Sequence, residues 1–325
     1  MNNFTDKTLN SLNNILKIDK LQFESEFGEP AQKVFKEQRN HIYVNGLLGL
    51  SNMCRNNCTY CGLRRGRKIP RYTLEFEKVT AITNQLATQG VKRIFYVSGE
   101  NNVYKFDDYL KLIENAKAAE LEVNLAAGIF EDSQYKELKE AGLDFYTLKF
   151  ESSNEKIFSE AKPDISLKER LKSIEGVKKA GLMLGSGNII GLKGQTISDL
   201  AKDIRLMVKL EIDWAPVVPF LPAPETPMGE TTPMGSVDLT LRTISILRLL
   251  LPKVRITAGQ PTQGSTLGFS DPAGNIAAIK HGADSLFVEL TPLAMAEKLD
   301  ITPGRKLPRL EEIKELIKPL ELEIC

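Results

Sequence analysis

Histidine and cysteine are scarce in this 325-residue chain: there are two histidines, His41 and His281, and four cysteines. Two histidines leave a histidine-rich zinc site short of ligands. Four cysteines, three crowded together and one at the last position, make a poor disulfide framework, and clustered thiols of this kind point to metal in a reducing compartment. No apolar run reaches the about 18 residues that a membrane-spanning helix requires. The opening stretch MNNFTDKTLNSLNNILKIDK alternates polar and apolar residues without a signal-type apolar region. The chain is therefore expected to be neither secreted nor membrane-bound, and to be cytoplasmic. An excess of one charge is missing too. Lys and Arg number 43 against 42 Asp and Glu, a formal charge of +1, so no global field calls for nucleic acid or an anionic membrane.

What is present is ordinary for a large folded domain: 42% hydrophobic and 26% charged residues, enough to bury a full core. Two amphipathic stretches, 6 to 16 and 20 to 37, are followed by eight candidate strands: 41–50, 93–99, 122–128, 145–151, 183–192, 214–220, 254–259 and 285–290. Between them lie helix-period segments at 75–89, 104–119, 132–141, 166–180, 196–210, 237–251 and 270–281. Gly90, Gly142, Gly181 and Gly282 stand where a helix C-terminus is expected. Eight βα units without a composition break predict the α/β class and a complete (β/α)8 TIM barrel over 41–325, ending in a short helix. An N-terminal helical extension over 1–40 precedes it. An open, doubly wound sheet is the alternative.

A barrel places its active site at the C-terminal ends of the strands, and the unusual residues collect there. Cys54, Cys58 and Cys61 follow the first strand, SGENN the second, Glu151 ends the fourth, GLKGQT follows the fifth, the Pro-rich PFLPAPETP the sixth and GQPTQGST the seventh. Thr257, Gln260, Thr262 and Gln263 either line the cavity and bond a small polar substrate or form a polar loop facing water. Three thiols alone do not close a zinc tetrahedron unless His41 folds back. A cluster on four protein thiolates needs Cys325 to reach in. A cubane on three thiolates leaves one iron open to an outside ligand.

The spacing C-x3-C-x2-C in CRNNCTYC, with Tyr60 before the last cysteine, resembles the signature of the radical S-adenosylmethionine (SAM) superfamily. Further segments, VSGE, ESSNEKIF, KPDISLKERL, GLKGQTISDL, PFLPAPETP and LTLRTISILRLLLP, resemble its biotin synthase and methylornithine synthase (PylB) group and, within that, [FeFe]-hydrogenase maturases of the HydE type, over about residues 40 to 305. The resemblance implies an enzyme with one [4Fe-4S] cluster on Cys54, Cys58 and Cys61. Such an enzyme cleaves SAM reductively to methionine and a 5′-deoxyadenosyl radical, which acts on a small molecule.

The resemblance also implies roles for single residues. Tyr60 would meet the adenine, as would Ile190 and Gly191. Ser98, Gly99 and Glu100 would approach the SAM amino group, and Glu151 and Arg170 would clamp its polar groups. The plain readings are that Glu151 pairs with Lys149 or Arg71 and that Arg170 is a solvated helix charge. Three positions depart from the HydE pattern: Asn101 where it has Asp, Val97 where it has Gln, and Lys149 where it has a cavity-facing Arg. The further cysteines with which biotin synthase holds a second cluster are missing. Implied partners are a flavodoxin or ferredoxin electron donor, docking on the basic stretch Arg55, Arg64, Arg65, Arg67 and Lys68, and other hydrogenase maturation proteins. An HmdB-type [Fe]-hydrogenase cofactor maturase, a PylB-like mutase acting on an amino acid, and a non-catalytic iron-sulfur and SAM-binding protein are the other readings.

Overall fold

The computed structural model describes residues 3–299, 301 and 307–325; the remaining residues of the expected extension and barrel lie outside these. The chain opens with helices Asn3–Ile15, Lys20–Phe23 and Glu29–Gln38, the last two joined by a π-helical turn, Glu24–Gly28. The single stretch expected over 20–37 is interrupted because Pro30 has no N–H and its ring crowds the carbonyl four residues back. A widened turn accommodates that conflict.

The strands are β1 (His41–Ser51), β2 (Arg93–Ser98), β3 (Glu122–Ala126), β4 (Phe145–Thr147), β5 (Met183–Gly185), β6 (Ile189–Ile190), β7 (Trp214–Ala215), β8 (Val218–Pro219), β9 (Arg255–Ile256), β10 (Ser285–Glu289) and β11 (Glu323–Ile324). Eight of them form a curled parallel sheet in the order β10-β1-β2-β3-β4-β5-β7-β9. The two ends of this path approach each other: Ala258 N donates to Ser285 O at 2.7 Å and Asp284 N to Ile256 O at 3.0 Å. The sheet strands are buried almost continuously, as parallel strands covered on one face and packed inside on the other must be.

The expected fifth and sixth strands each break. Pro216 has no N–H for the ladder, so β5 and β7 stop and pairing resumes beyond as β6 with β8. Seven helices lie within two residues of their expected bounds: Phe76–Thr88, Phe106–Ala118, Asp132–Glu140, Leu167–Lys179, Ile197–Lys209, Val237–Leu250 and Pro272–Lys280. Ser166, Thr196, Ser236 and Asp271 cap four of them. The four expected glycines all take left-handed φ angles, 74° to 101°. Helix Leu310–Ile317 is the expected C-terminal one, and helix Glu155–Ala161 was not expected.

One continuous core joins Leu12, Phe23 and Phe35 of the N-terminal helices to Val44, Leu48 and Ile94 of the sheet. A second, smaller cluster of Ile157, Ala161, Ile189, Leu192, Phe220 and Met228 sits beside Tyr60. Among the described residues no helix is long and apolar enough to cross a membrane.

Candidate active site at the C-terminal ends of the strands

The cysteine loop leaves β1 at Ser51 and is fastened by two buried polar residues. Asn52, fully buried, donates to Pro70 O and Lys298 O, both at 2.9 Å, and accepts from Tyr72 N at 2.7 Å. The Arg71 guanidinium donates to four carbonyls, those of Asn52, Leu63, Arg64 and Arg67. It is thereby committed to the loop and does not pair with Glu151. So held, Cys54, Cys58 and Cys61 all line one cavity of about 370 Å³. Burial pushes the Cys61 thiol up to about 12, reinforced by Cys58, and burial also raises Cys54. A metal that binds here displaces protons.

The turn after β2 presses against this loop. A Cβ on Gly99 would lie 2.2 Å from Met53 O and 2.9 Å from Cys54 Cβ, so only glycine lets the two loops touch. Asn101, where the resemblance expects Asp, donates to Met53 O at 3.1 Å, Gly99 O at 2.7 Å and Ser98 Oγ at 3.0 Å. A carboxylate has no proton to offer those carbonyls. The Glu100 carboxylate lines the cavity and is held by Arg55, at 2.6 Å, and Asn56, at 2.9 Å.

Glu151 stands opposite, in a left-handed conformation (φ 60°) rare for a residue with a side chain. It is buried, accepts from Tyr60 OH at 2.9 Å, and its Oε2 lies 3.3 Å from Lys149 Nζ without a hydrogen-bond partner. Burial pushes its carboxyl up, but Lys149, Lys162, the Tyr60 hydroxyl and Arg170 outweigh that and hold it below the usual carboxylate range. The pairing with Lys149 is thus real, yet one oxygen keeps capacity to accept. Arg170 is not a solvated helix charge. It is 4% exposed, lines the cavity, and its Nε has no partner. Lys162, a residue without an expected role, is 8% exposed and also lines the cavity.

The cavity floor is aromatic: Phe95 and Phe287 pack on Trp214, with ring centres 5.3 and 5.6 Å away. Above it, Thr257 lines the wall with its hydroxyl unpartnered. The other three polar residues expected there are engaged elsewhere. Gln260 is fully buried and donates to Val217 O and Thr257 O. Thr262 donates its N–H and hydroxyl to Asp271, and Gln263 accepts from Val237 N. None of the three lines the cavity, nor do Ile190 and Gly191; Ile189 does. Side chains alternate along a strand, so a displacement of one residue moves the lining position to the other face. Gly191 instead meets Gly235, whose Cα would be 2.4 Å from an added Cβ. The expected basic docking stretch is largely neutralised: Arg55 pairs with Glu100, Arg65 with Asp164 and Arg67 with Glu225.

Among the described residues no three His, Cys, Asp or Glu side chains are gathered to hold one metal ion. Three thiolates on one zinc would stand about 3.8 Å apart, from bonds of about 2.3 Å in a tetrahedron. Thiolates on separate irons of a cluster stand wider than that. His41 supplies no ligand: it opens β1, edge-on to Tyr43 at 4.7 Å, roughly 30 Å of extended strand from the cysteine loop. Cys325 is equally remote, its N–H bonded to Ile42 O and its sulfur to Arg93, both at the opposite end of the sheet. Two buried atoms without a hydrogen-bond partner, Arg170 Nε and the Glu151 Oε2 that pairs with Lys149, sit in the walls that hold the three cysteines. They fit the polar end of a bound amino acid.

The sequence model of the Radical SAM superfamily matches residues 48–207. The [FeFe]-hydrogenase maturase subunit HydE of Thermotoga maritima is 31% identical over 267 residues, which cover 82% of this chain and 75% of that protein. A biotin synthase of Paramagnetospirillum magneticum is 30% identical over 71% of this chain and 73% of its own length. The crystal structure of methylornithine synthase (PylB) shares the fold, with a TM-score of 0.80 at 21% identity, over 99% of this chain and 97% of that one. The chain belongs to the radical SAM superfamily, whose members bind a [4Fe-4S] cluster and S-adenosylmethionine.

Proposed function

We propose that this chain is a HydE-like enzyme of hydrogenase cofactor maturation, acting on a small molecule enclosed by the curled sheet. The observation that carries the reading is the cavity wall itself: three cysteines share it with Arg170, whose buried Nε has no hydrogen-bond partner, and with Glu151, whose Oε2 meets the Lys149 ammonium but accepts no hydrogen bond. Cys54, Cys58 and Cys61 would ligate three irons. When bound, cluster and SAM together supply the 5′-deoxyadenosyl radical. The residues of the chain do the rest. Arg170 offers donors for a carboxylate, and Glu151 Oε2, which accepts no hydrogen bond although it pairs with Lys149, can accept from an ammonium, a matched pair for the methionine part of SAM. Ser98, Gly99 and Glu100 bring backbone and carboxylate to the same end. Tyr60 and Ile189 provide a ring and an apolar face beside them, and Lys149 and Thr257 face the substrate.

The aromatic floor and apolar walls exclude water, which protects reactive intermediates and strengthens every charge contact inside. The hydrogen bonds between Ala258 and Ser285 and between Asp284 and Ile256 support reading the sheet as a complete (β/α)8 barrel sealed at that seam. Residues 1–40 are then a helical extension packed on it, and 41–325 the catalytic domain. A flavodoxin or ferredoxin would approach the outer side of the cysteine loop, where Met53, Arg65 and Lys68 are exposed. The likeness to HydE, a hydrogenase maturase subunit, supports the maturation role.

The test is anaerobic. The reconstituted protein is given dithionite and SAM, with and without small-molecule hydrogenase-cofactor precursors, and 5′-deoxyadenosine and methionine are quantified. Cleavage accelerated or redirected by a precursor bears out the proposal. A reduced, SAM-bound protein that cleaves nothing with any of them contradicts it.

A further inference from the structure

One buried ammonium in the cavity wall touches a cysteine sulfur. Lys162 Nζ lies 3.4 Å from Cys58 Sγ and 3.4 Å from Tyr60 OH, and 5.8 Å from the centre of the Tyr60 ring. Tyr60 passes the contact on by donating to Glu151 Oε1 at 2.9 Å. The geometry is fixed from behind. Lys162 closes helix Glu155–Ala161, its N–H bonded to Phe158 O at 2.7 Å, and Pro163 restricts the chain just beyond it. The neighbouring cations have other duties: Arg71 binds four carbonyls, and Lys149 pairs with Glu151. Holding a lysine at 8% exposure against a thiol needs a compensating charge. The Glu151 carboxylate beyond Tyr60 supplies part of it, and a metal-bound thiolate at Cys58 would supply the rest.

We propose that Lys162 sets the reduction potential of the cluster by donating a charge-assisted hydrogen bond to the Cys58 sulfur; this rests on the assignment of Cys58 as a cluster ligand. Adding an electron makes the cluster and its sulfurs more negative. A fixed positive charge and an N–H···S bond stabilise that state more than the oxidised one, and burial magnifies the difference. Lys162 is thus a positioning residue that acts through Cys58, and it makes the cluster easier for an external one-electron donor to reduce. Through Tyr60 the same ammonium reaches the carboxylate on the other side of the cavity.

The measurement is a redox titration of the reconstituted protein, followed by electron paramagnetic resonance, on wild type, Lys162→Met, Lys162→Gln and Lys162→Arg, with iron and sulfide counted in each. Lys162→Met fills the space without charge. It is expected to retain the cluster while the one-electron equilibrium shifts about tenfold toward the oxidised form, a fall of about 59 mV. Lys162→Gln, which keeps a donor but no charge, should fall between the two, and Lys162→Arg should stay near wild type. If Lys162→Met loads no cluster, the order of the Arg and Gln variants decides. Equal potentials in the neutral variants and wild type overturn the proposal, since a merely structural lysine would leave the potential unmoved. A wild-type protein that forms no [4Fe-4S] signal fails at the earlier step, the assignment of the cysteines, and removes this inference with it.

Discussion

Cys54, Cys58 and Cys61 open on one cavity, whereas Cys325 is tied to Arg93 at the far end of the sheet. Replacing any of the first three by Ala should abolish the cluster, measured as iron and sulfide per chain. Cys325→Ala should leave about four of each, and loss of iron in that variant would mean a fourth protein ligand. Arg170→Ala should keep the cluster and weaken SAM binding by roughly 10- to 150-fold, the worth of about 1.5–3 kcal/mol for hydrogen bonds to a charged group. Unchanged binding in equilibrium dialysis would return Arg170 to a packing role. The crowding of the three cysteines was legible in the sequence, and their expected role came from the resemblance to the family. Lys162 was not legible, because nothing in its local sequence marks it, and only the fold brings Cys58, a hundred residues away in sequence, against it.

At the scale of elements, the helices announced themselves by apolar periodicity and by their caps, while loop roles depended on contacts between loops. Gln260, Thr262 and Gln263 look like substrate ligands in sequence. Folding turns the Gln260 amide N–H to Val217, Thr262 to Asp271 and Gln263 to Val237, and of the four only Thr257 lines the cavity. Asp271 anchors that loop, accepting from Thr262 and from Ala273 N and Gly274 N at the start of helix Pro272–Lys280. Burial works against its charge, but these bonds prevail and hold its pKa at about 2, below the model-compound value of 3.8. A depressed carboxyl stabilises the fold above its unfolded pKa, so this contribution is lost as pH falls from about 4 to about 2. Asp271→Ala should cost about 1–2 kcal/mol at neutral pH, as lost caps do, and should flatten that acid limb in urea unfolding. An unaltered pH profile would show the anchor to be unimportant. Gly99→Ala should force the β2 turn away from Met53 and lower cluster loading. Full loading in that variant would show that the loops can separate freely.

For the whole molecule, alternation of eight strands and seven helices was enough to foresee a parallel α/β sheet with its chemistry at one end. The breaks after β5 and β7 were not foreseen, because a single Pro216 and a two-residue strand pair carry too little periodicity to read. The same holds for β11, whose two residues add to the start of β1 and take the chain end away from the site. The resulting molecule separates its tasks. Arginines and carboxylates bind one end together, with Arg255 on Glu122 and Arg248 on Asp284, and the other end gathers thiols and charged side chains around a cavity. The central claim is that the three thiols leave one iron open for SAM beside Glu151 and Arg170. Its most direct test is the electron paramagnetic resonance spectrum of the dithionite-reduced protein before and after SAM is added. The account predicts a [4Fe-4S] signal whose shape changes when SAM binds. A cluster signal that stays the same at saturating SAM would contradict it.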